Sequence, residues 1–160
     1  MKTRGTSGAV AIEFAVVGLA FTSLLLLAME TGWQLLIDSA LGAGARAASR
    51  FGTTGTKVAT GITPPPADRD TSIEDLVILN SGNLLLPNRL QITEASYASF
   101  AALEAGGAST PGAGNASQVV QYTFTYTQPY LTPVAAAITG QQNLIHSVQV
   151  TVLNEPFPAN

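Results

Sequence analysis

The chain has no cysteine, one histidine and one tryptophan, and only 11% of its 160 residues are charged. Without cysteine there is no disulfide staple and no Cys-His pair, so whatever folds must rest on its apolar core. The formal net charge is −3 and the few Lys and Arg are scattered. That gives no electrostatic case for nucleic acid as a partner. No phosphate loop or nucleophile elbow is present, nor a D-x-D-x-D-G calcium loop. The expectation is a protein that is not an enzyme and carries no cofactor or metal. His146 stands alone, read here on the polar phase of its strand, where a histidine is structural or solvent-facing. Asp68, Asp70, Glu74 and Asp75 read as a solvated helix start. Asn115-Ala-Ser117 fits the N-glycosylation pattern only as a short match.

Proline is absent before Pro64, and charge is absent from Phe14 to Met29. Between Ala9 and Met29 the sole ionisable side chain is Glu13. A helix over those positions spans ~31 Å, about one bilayer core. The reading is a single transmembrane helix over 9–29, in contact with inner-membrane lipid. Lys2, Arg4 and the terminal amine precede the run, while Glu30 and Asp38 follow it. The positive-inside rule then puts the N-terminus in the cytoplasm and the remainder outside it. A secretory signal peptide would have an apolar region of ~7–15 residues with a cleavage site close behind. Here the run is longer, and small-residue sites first occur within Ala40 to Ser49. A plain anchor accounts for length and orientation but not for Glu13. A carboxylate in hydrocarbon costs ~3 kcal/mol at a helix centre, and less near an end. No Lys, Arg or His lies between Glu13 and Arg46, so its partner is expected outside this helix, apart from the N-terminal flank.

Gly8 directly precedes Ala9, and Glu13 is fifth counting from Ala9. With Phe14 and the basic "MKTRGTSG" ahead, this arrangement resembles the processing site of type IV pilin precursors. More narrowly, "RGTSGAVAIEFAVVGLAF" resembles the TadE-like branch, the minor pilins of tight-adherence (Flp-type) pilus systems. Glu30-Thr31-Gly32 is similar to the downstream acid-glycine of that branch, and Asn154 to Phe157 is similar to its endings. The resemblance implies cleavage between Gly8 and Ala9 by a prepilin peptidase. It implies that Glu13, with Phe14 beside it, then pairs with the new amine of a neighbouring subunit. It further implies other pilin subunits and minor pilins as partners, and a location that becomes extracellular in an assembled pilus. The alternatives are an uncleaved single-pass scaffold or binding module, and a pseudopilin of a secretion system.

Apolar and small residues continue at helical spacing through Trp33, Leu36, Ile37, Ala40, Leu41, Gly44 and Ala48. Trp33 is placed for the outer membrane interface. Ala11, Ala15, Gly18 and Thr22 form a small-residue stripe suited to close helix packing in lipid. Gly42 and Gly44 weaken the helix relative to alanine, and mark either a close contact or a flexible joint.

The expected organisation is a leader over 1–8, the long helix over 9–51, a Pro- and Gly-rich linker over 52–70 and a globular head over 71–160. Within the head, Thr71 to Glu74 reads as a capping box opening a helix that ends at about Asn80. Arg89 to Tyr97, Val119 to Gln128 and Ile145 to Asn154 read as strands. Residues 99–107 suggest a helical turn. Residues 106–117 read as a loop. The apolar "PYLTPVAAAITG" contains Pro129 and Pro133, and reads as a packed crossover rather than a strand. The fold class is therefore α+β: a long N-terminal transmembrane, pilin-like helix packed by a small, mainly antiparallel three-stranded sheet.

Overall fold

The computed structural model of the chain describes residues 6–157. Its first element is one unbroken helix, α1 (Thr6–Thr53). It begins three residues before the expected start and ends two beyond the expected end. Nothing in the sequence stops it sooner, because no proline intervenes and Leu, Ala and Val dominate. The chain forms two compact units. One comprises α1 as far as Leu35 together with Pro129–Leu144, and the other Leu36–Gln128 together with the chain from Ile145 onward.

In the second unit, α1 contributes Ile37, Leu41, Ala45 and Ala48, all buried. They recur every third or fourth residue, so they make one stripe. After an irregular stretch, α2 (Arg69–Asn80) follows. Its cap is Asp68 and not Thr71: the Asp68 carboxylate accepts from the Thr71 N–H at 2.8 Å and from its hydroxyl at 2.7 Å. Those two bonds hold the Asp68 carboxyl below its usual range. The expected capping box failed because Asp68, three residues upstream, is an equally good cap and starts the helix earlier.

β1 (Leu90–Tyr97), β2 (Thr110–Pro111), β3 (Val119–Pro129) and β4 (Asn143–Leu153) form one sheet in the order β2-β1-β3-β4. β1 runs antiparallel to both β2 and β3, with Ile92 opposite Phe124 and Glu94 opposite Tyr122. The sheet therefore has four strands, where three were expected. The fourth, β2, lies inside the segment read as a loop. It is two residues long and carries a proline, so no alternating pattern marks it. It pairs with Ala95 and Ser96, and the Ser96 hydroxyl donates to the Thr110 carbonyl at 2.9 Å. A short helix, α3 (Phe100–Glu104), stands where a helical turn was expected.

β3, flanked on both sides, buries Val120, Tyr122, Phe124, Tyr126 and Gln128 on its inner face. β4 exposes Ile145, Gln149 and Thr151 and turns Val148, Val150 and Val152 inward. His146 shares the phase of those valines. It is buried, and its Nδ1 lies 3.4 Å from an Asp38 carboxylate oxygen. The sequence reading put it on the polar side. In an alternating strand residue 146 must side with 148 and 150, so that reading was a phase error.

Gly52 of α1 lies beneath the Tyr122 ring, where a Cβ would collide with the hydroxyl. The end of the long helix thus rests on the sheet, as expected. Gly44 has a different neighbour. A Cβ there would stand 2.5 Å from the backbone oxygen of Val77, so it is α2 and not the sheet that approaches closely. At Gly42 the nearest atom is the tip of Arg46, at an ordinary 3.4 Å. Gly44→Ala is expected to lower stability by about 1 kcal/mol, because overpacking of ~1–3 kcal/mol against backbone outweighs a helix-propensity gain of ~1 kcal/mol. Gly42→Ala meets no such neighbour and is expected to raise stability by up to about 1 kcal/mol. Chemical denaturation of the full-length chain in detergent reads the two midpoint shifts, which should have opposite signs.

Residues 154–157 are built into the same unit. Asn154 is buried and its amide donates to the carbonyls of Ala113 and Asn115, both at 2.9 Å. The Glu155 N–H reaches the Thr53 carbonyl at 2.9 Å. The Phe157 ring packs over Gly55, with the Arg69 guanidinium 5.7 Å from its centroid. Asn154 to Phe157 thereby ties the end of β4 to the end of α1.

Candidate functional site

In the first unit, α1 carries the residues singled out in the sequence. A helix buries an apolar face only where something packs on it. Here no part of the most apolar stretch is buried. Val10, Ile12, Val16, Val17, Leu19 and Phe21 are all exposed, and Phe14 retains 79% of its accessible surface. A helix apolar all round and bare all round needs lipid or other helices about it.

The expected cleavage residues, Gly8 and Ala9, are helical and exposed. Glu13 is exposed, and no hydrogen bond or ion pair engages it among the described residues. Ala11, Ala15 and Thr22 are exposed and Gly18 is half-buried, with no atom within 4 Å of where its Cβ would stand. At about 100° per residue, Glu13 lies roughly 160–200° around the helix from Ala11 and Ala15. The acid and the small-residue stripe therefore occupy opposite faces.

Where the bare segment ends, Glu30 is only 4% exposed. One carboxylate oxygen accepts from the Gln34 amide at 2.6 Å, one turn on. The other accepts from the backbone N–H groups of Leu131 and Thr132, at 2.8 and 3.0 Å. Those amides open α4 (Pro133–Thr139), the helix within the expected crossover. Its local signals are plain: the Thr132 hydroxyl accepts from the Ala135 N–H, Pro133 is the first helical residue, and Gly140 closes it in the left-handed region. A charge-assisted bond to two amides is stronger than a neutral one. Glu30 thus fastens the β3–β4 connection to α1 across a hundred residues of sequence. Sequence reasoning noted the acid-glycine pair but gave Glu30 no partner. The only signal available was Thr-Pro opening a short apolar helix, and it does not point back to residue 30.

Residues 8–50 match the model of the family described as TadE-like protein. The match covers the bare helix, Glu13 and Glu30, and stops before the sheet-bearing part. A search of curated proteins returns no significant match, and neither does a search of solved structures. The TadE-like resemblance read from Gly8, Glu13 and Phe14 is therefore matched over this segment, which carries a helix long and apolar enough to cross a membrane.

Proposed function

We propose that the chain is a minor pilin of a tight-adherence pilus, inserted with its N-terminus in the cytoplasm, cut after Gly8 and then packed into a filament through α1. The observation that supports this most is the bare apolar helix whose only ionisable side chain before Glu30 is Glu13. Cleavage would leave an α-amine on Ala9, with a pKa near 8 and hence a charge of about +1 at pH 7. Four residues separate that amine from Glu13, about one helical turn. In helices staggered along an axis, Glu13 of one subunit meets the amine of the next. Buried polar pairs of this kind fix register. The small-residue stripe, on the other side of α1, is free to pack a different neighbour.

Mass spectrometry of the protein purified from cells with and without a prepilin peptidase tests the proposal. A chain beginning at Ala9 only when the peptidase is present is the expected result. A chain beginning at Met1 in both overturns it in favour of an uncleaved anchor.

A further inference from the structure

We propose that α4, with the loop before it, forms a collar that lies in the headgroup layer of the bilayer at the C-terminal end of the membrane span. The inference rests on the reading of α1 as membrane-spanning. Its own evidence lies elsewhere in the first unit. Leu131 and Ile138 are exposed to 52% and 67%, large apolar side chains with no protein over them. From residue 105 to residue 154 there is no Asp, Glu, Lys or Arg, so nothing charged resists their entry into an interface. Leu27, which belongs to the uncharged run, lines one groove of about 290 Å³ together with Ala135 and Ile138. Whatever layer holds Leu27 must then hold the neighbouring surface of α4.

The depth agrees. Leu27 and Glu30 are three residues apart, ~4.5 Å along the helix, and each headgroup region is ~5–7 Å thick. Glu30, fastened to Leu131 and Thr132, sets α4 at that level. The carboxylate is sheltered by the bonds it accepts, which allows an acid at the edge of hydrocarbon. The occupant of the exposed face is lipid, because the groove is continuous with the span itself. No anionic headgroup is required, since α4 offers no positive charge.

The chain has no native cysteine, so single-cysteine variants report one position each. Full-length Leu19→Cys and Ile138→Cys chains, each carrying an environment-sensitive fluorophore, are reconstituted into phosphatidylcholine vesicles. Nitroxide lipids supply the quencher, placed either at the headgroup or deep in the acyl chain. The Leu19 label should lose most of its emission to the deep nitroxide. The Ile138 label should lose most of its emission to the headgroup nitroxide and little to the deep one. Adding Glu30→Ala should abolish the Ile138 quenching, whereas Glu30→Gln, which keeps an oxygen acceptor, should retain most of it. An Ile138 label untouched by either lipid, beside a quenched Leu19 label, overturns the collar and leaves the span intact. If that untouched label responds to protein density in the vesicle, a second copy covers the face, and the collar is likewise overturned. Quenching that survives Glu30→Ala overturns the role given to Glu30. A Leu19 label that no lipid quenches removes the span, and the collar with it.

Discussion

Glu13→Gln is expected to leave the protein in the membrane at its normal level and to reduce its incorporation into pili on the order of a hundredfold. The two halves of that result have different physical origins. Insertion removes side chains from water, and a neutral amide is cheaper to remove than a carboxylate, by up to ~3 kcal/mol at mid-span and less at the position of Glu13. Nothing in the chain's own fold rewards the charge, because the residue is exposed and unengaged among the described residues. Insertion therefore has no reason to fail. Assembly does. Once a neighbour's α-amine is buried in the bundle, losing its counter-ion leaves an uncompensated charge, at about 3–5 kcal/mol. At 1.4 kcal/mol per factor of ten, even the low end is about two orders of magnitude. Glu13→Asp keeps the charge one methylene short and should recover part of the loss. Fractionation of membranes and of sheared pili, with quantitative immunodetection in each, separates insertion from incorporation. Wild-type amounts of Glu13→Gln protein in the pili would show that the acid does not join subunits.

How much of this was legible in the sequence follows from where each constraint acts. The long helix, β1, β3 and β4 are set by local pattern: an unbroken apolar run without proline, and alternation such as Val120, Tyr122, Phe124 and Tyr126. α2 was visible too, though its true cap Asp68 competed with Thr71, and only geometry chose between two good capping residues. β2 was hidden because two residues and a proline carry no periodicity. Gly42 and Gly44 were indistinguishable in sequence, since what separates them is the carbonyl of Val77 on another element. The bond between Glu30 and Leu131 was equally out of reach. It depends on a tertiary contact that no spacing rule encodes. His146 was within reach and misjudged: its parity with Val148 was already in the sequence. The residues proposed for cleavage and subunit pairing are the reverse case. Gly8, Glu13 and Phe14 were read from sequence, and the fold leaves them exposed on a bare helix.

The same alternation that sets the sheet also forces an acid inward, and its effect should appear as a pH dependence. Leu90, Ile92, Glu94 and Ser96 share one phase of β1, with Glu94 in register with Tyr122 on β3. One oxygen of the Glu94 carboxylate is buried and has no hydrogen-bond partner. Burial first, and then the negative charge of Asp70, push its pKa from the ordinary 4.5 to about 7, against a pull downward from Arg69. Arg69 is a weak remedy because its guanidinium donates to the carbonyls of Gly52 and Gly114. Between pH 4.5 and 7 the folded chain holds a proton on Glu94 that the unfolded chain releases. Stability must then fall as pH rises through that window. The contribution is fully present below the unfolded value and gone above the folded one; at 1.36 kcal/mol per pKa unit the shift would be worth about 3 kcal/mol, which solvent screening of the partly exposed carboxylate reduces to about 1–2 kcal/mol. Asp68 acts with the opposite sign, stabilising above its ordinary 3.8 and losing that contribution as pH falls below it, so the two do not overlap. Burial also raises the Tyr122 hydroxyl far above its ordinary value, so it stays neutral throughout. Glu94→Gln should match the parent at pH 4 to 5, exceed it by about 1–2 kcal/mol at pH 8, and flatten the profile between. Chemical denaturation of both full-length chains across pH 4 to 8 reads the difference, and parallel profiles would show that Glu94 titrates as an ordinary surface acid.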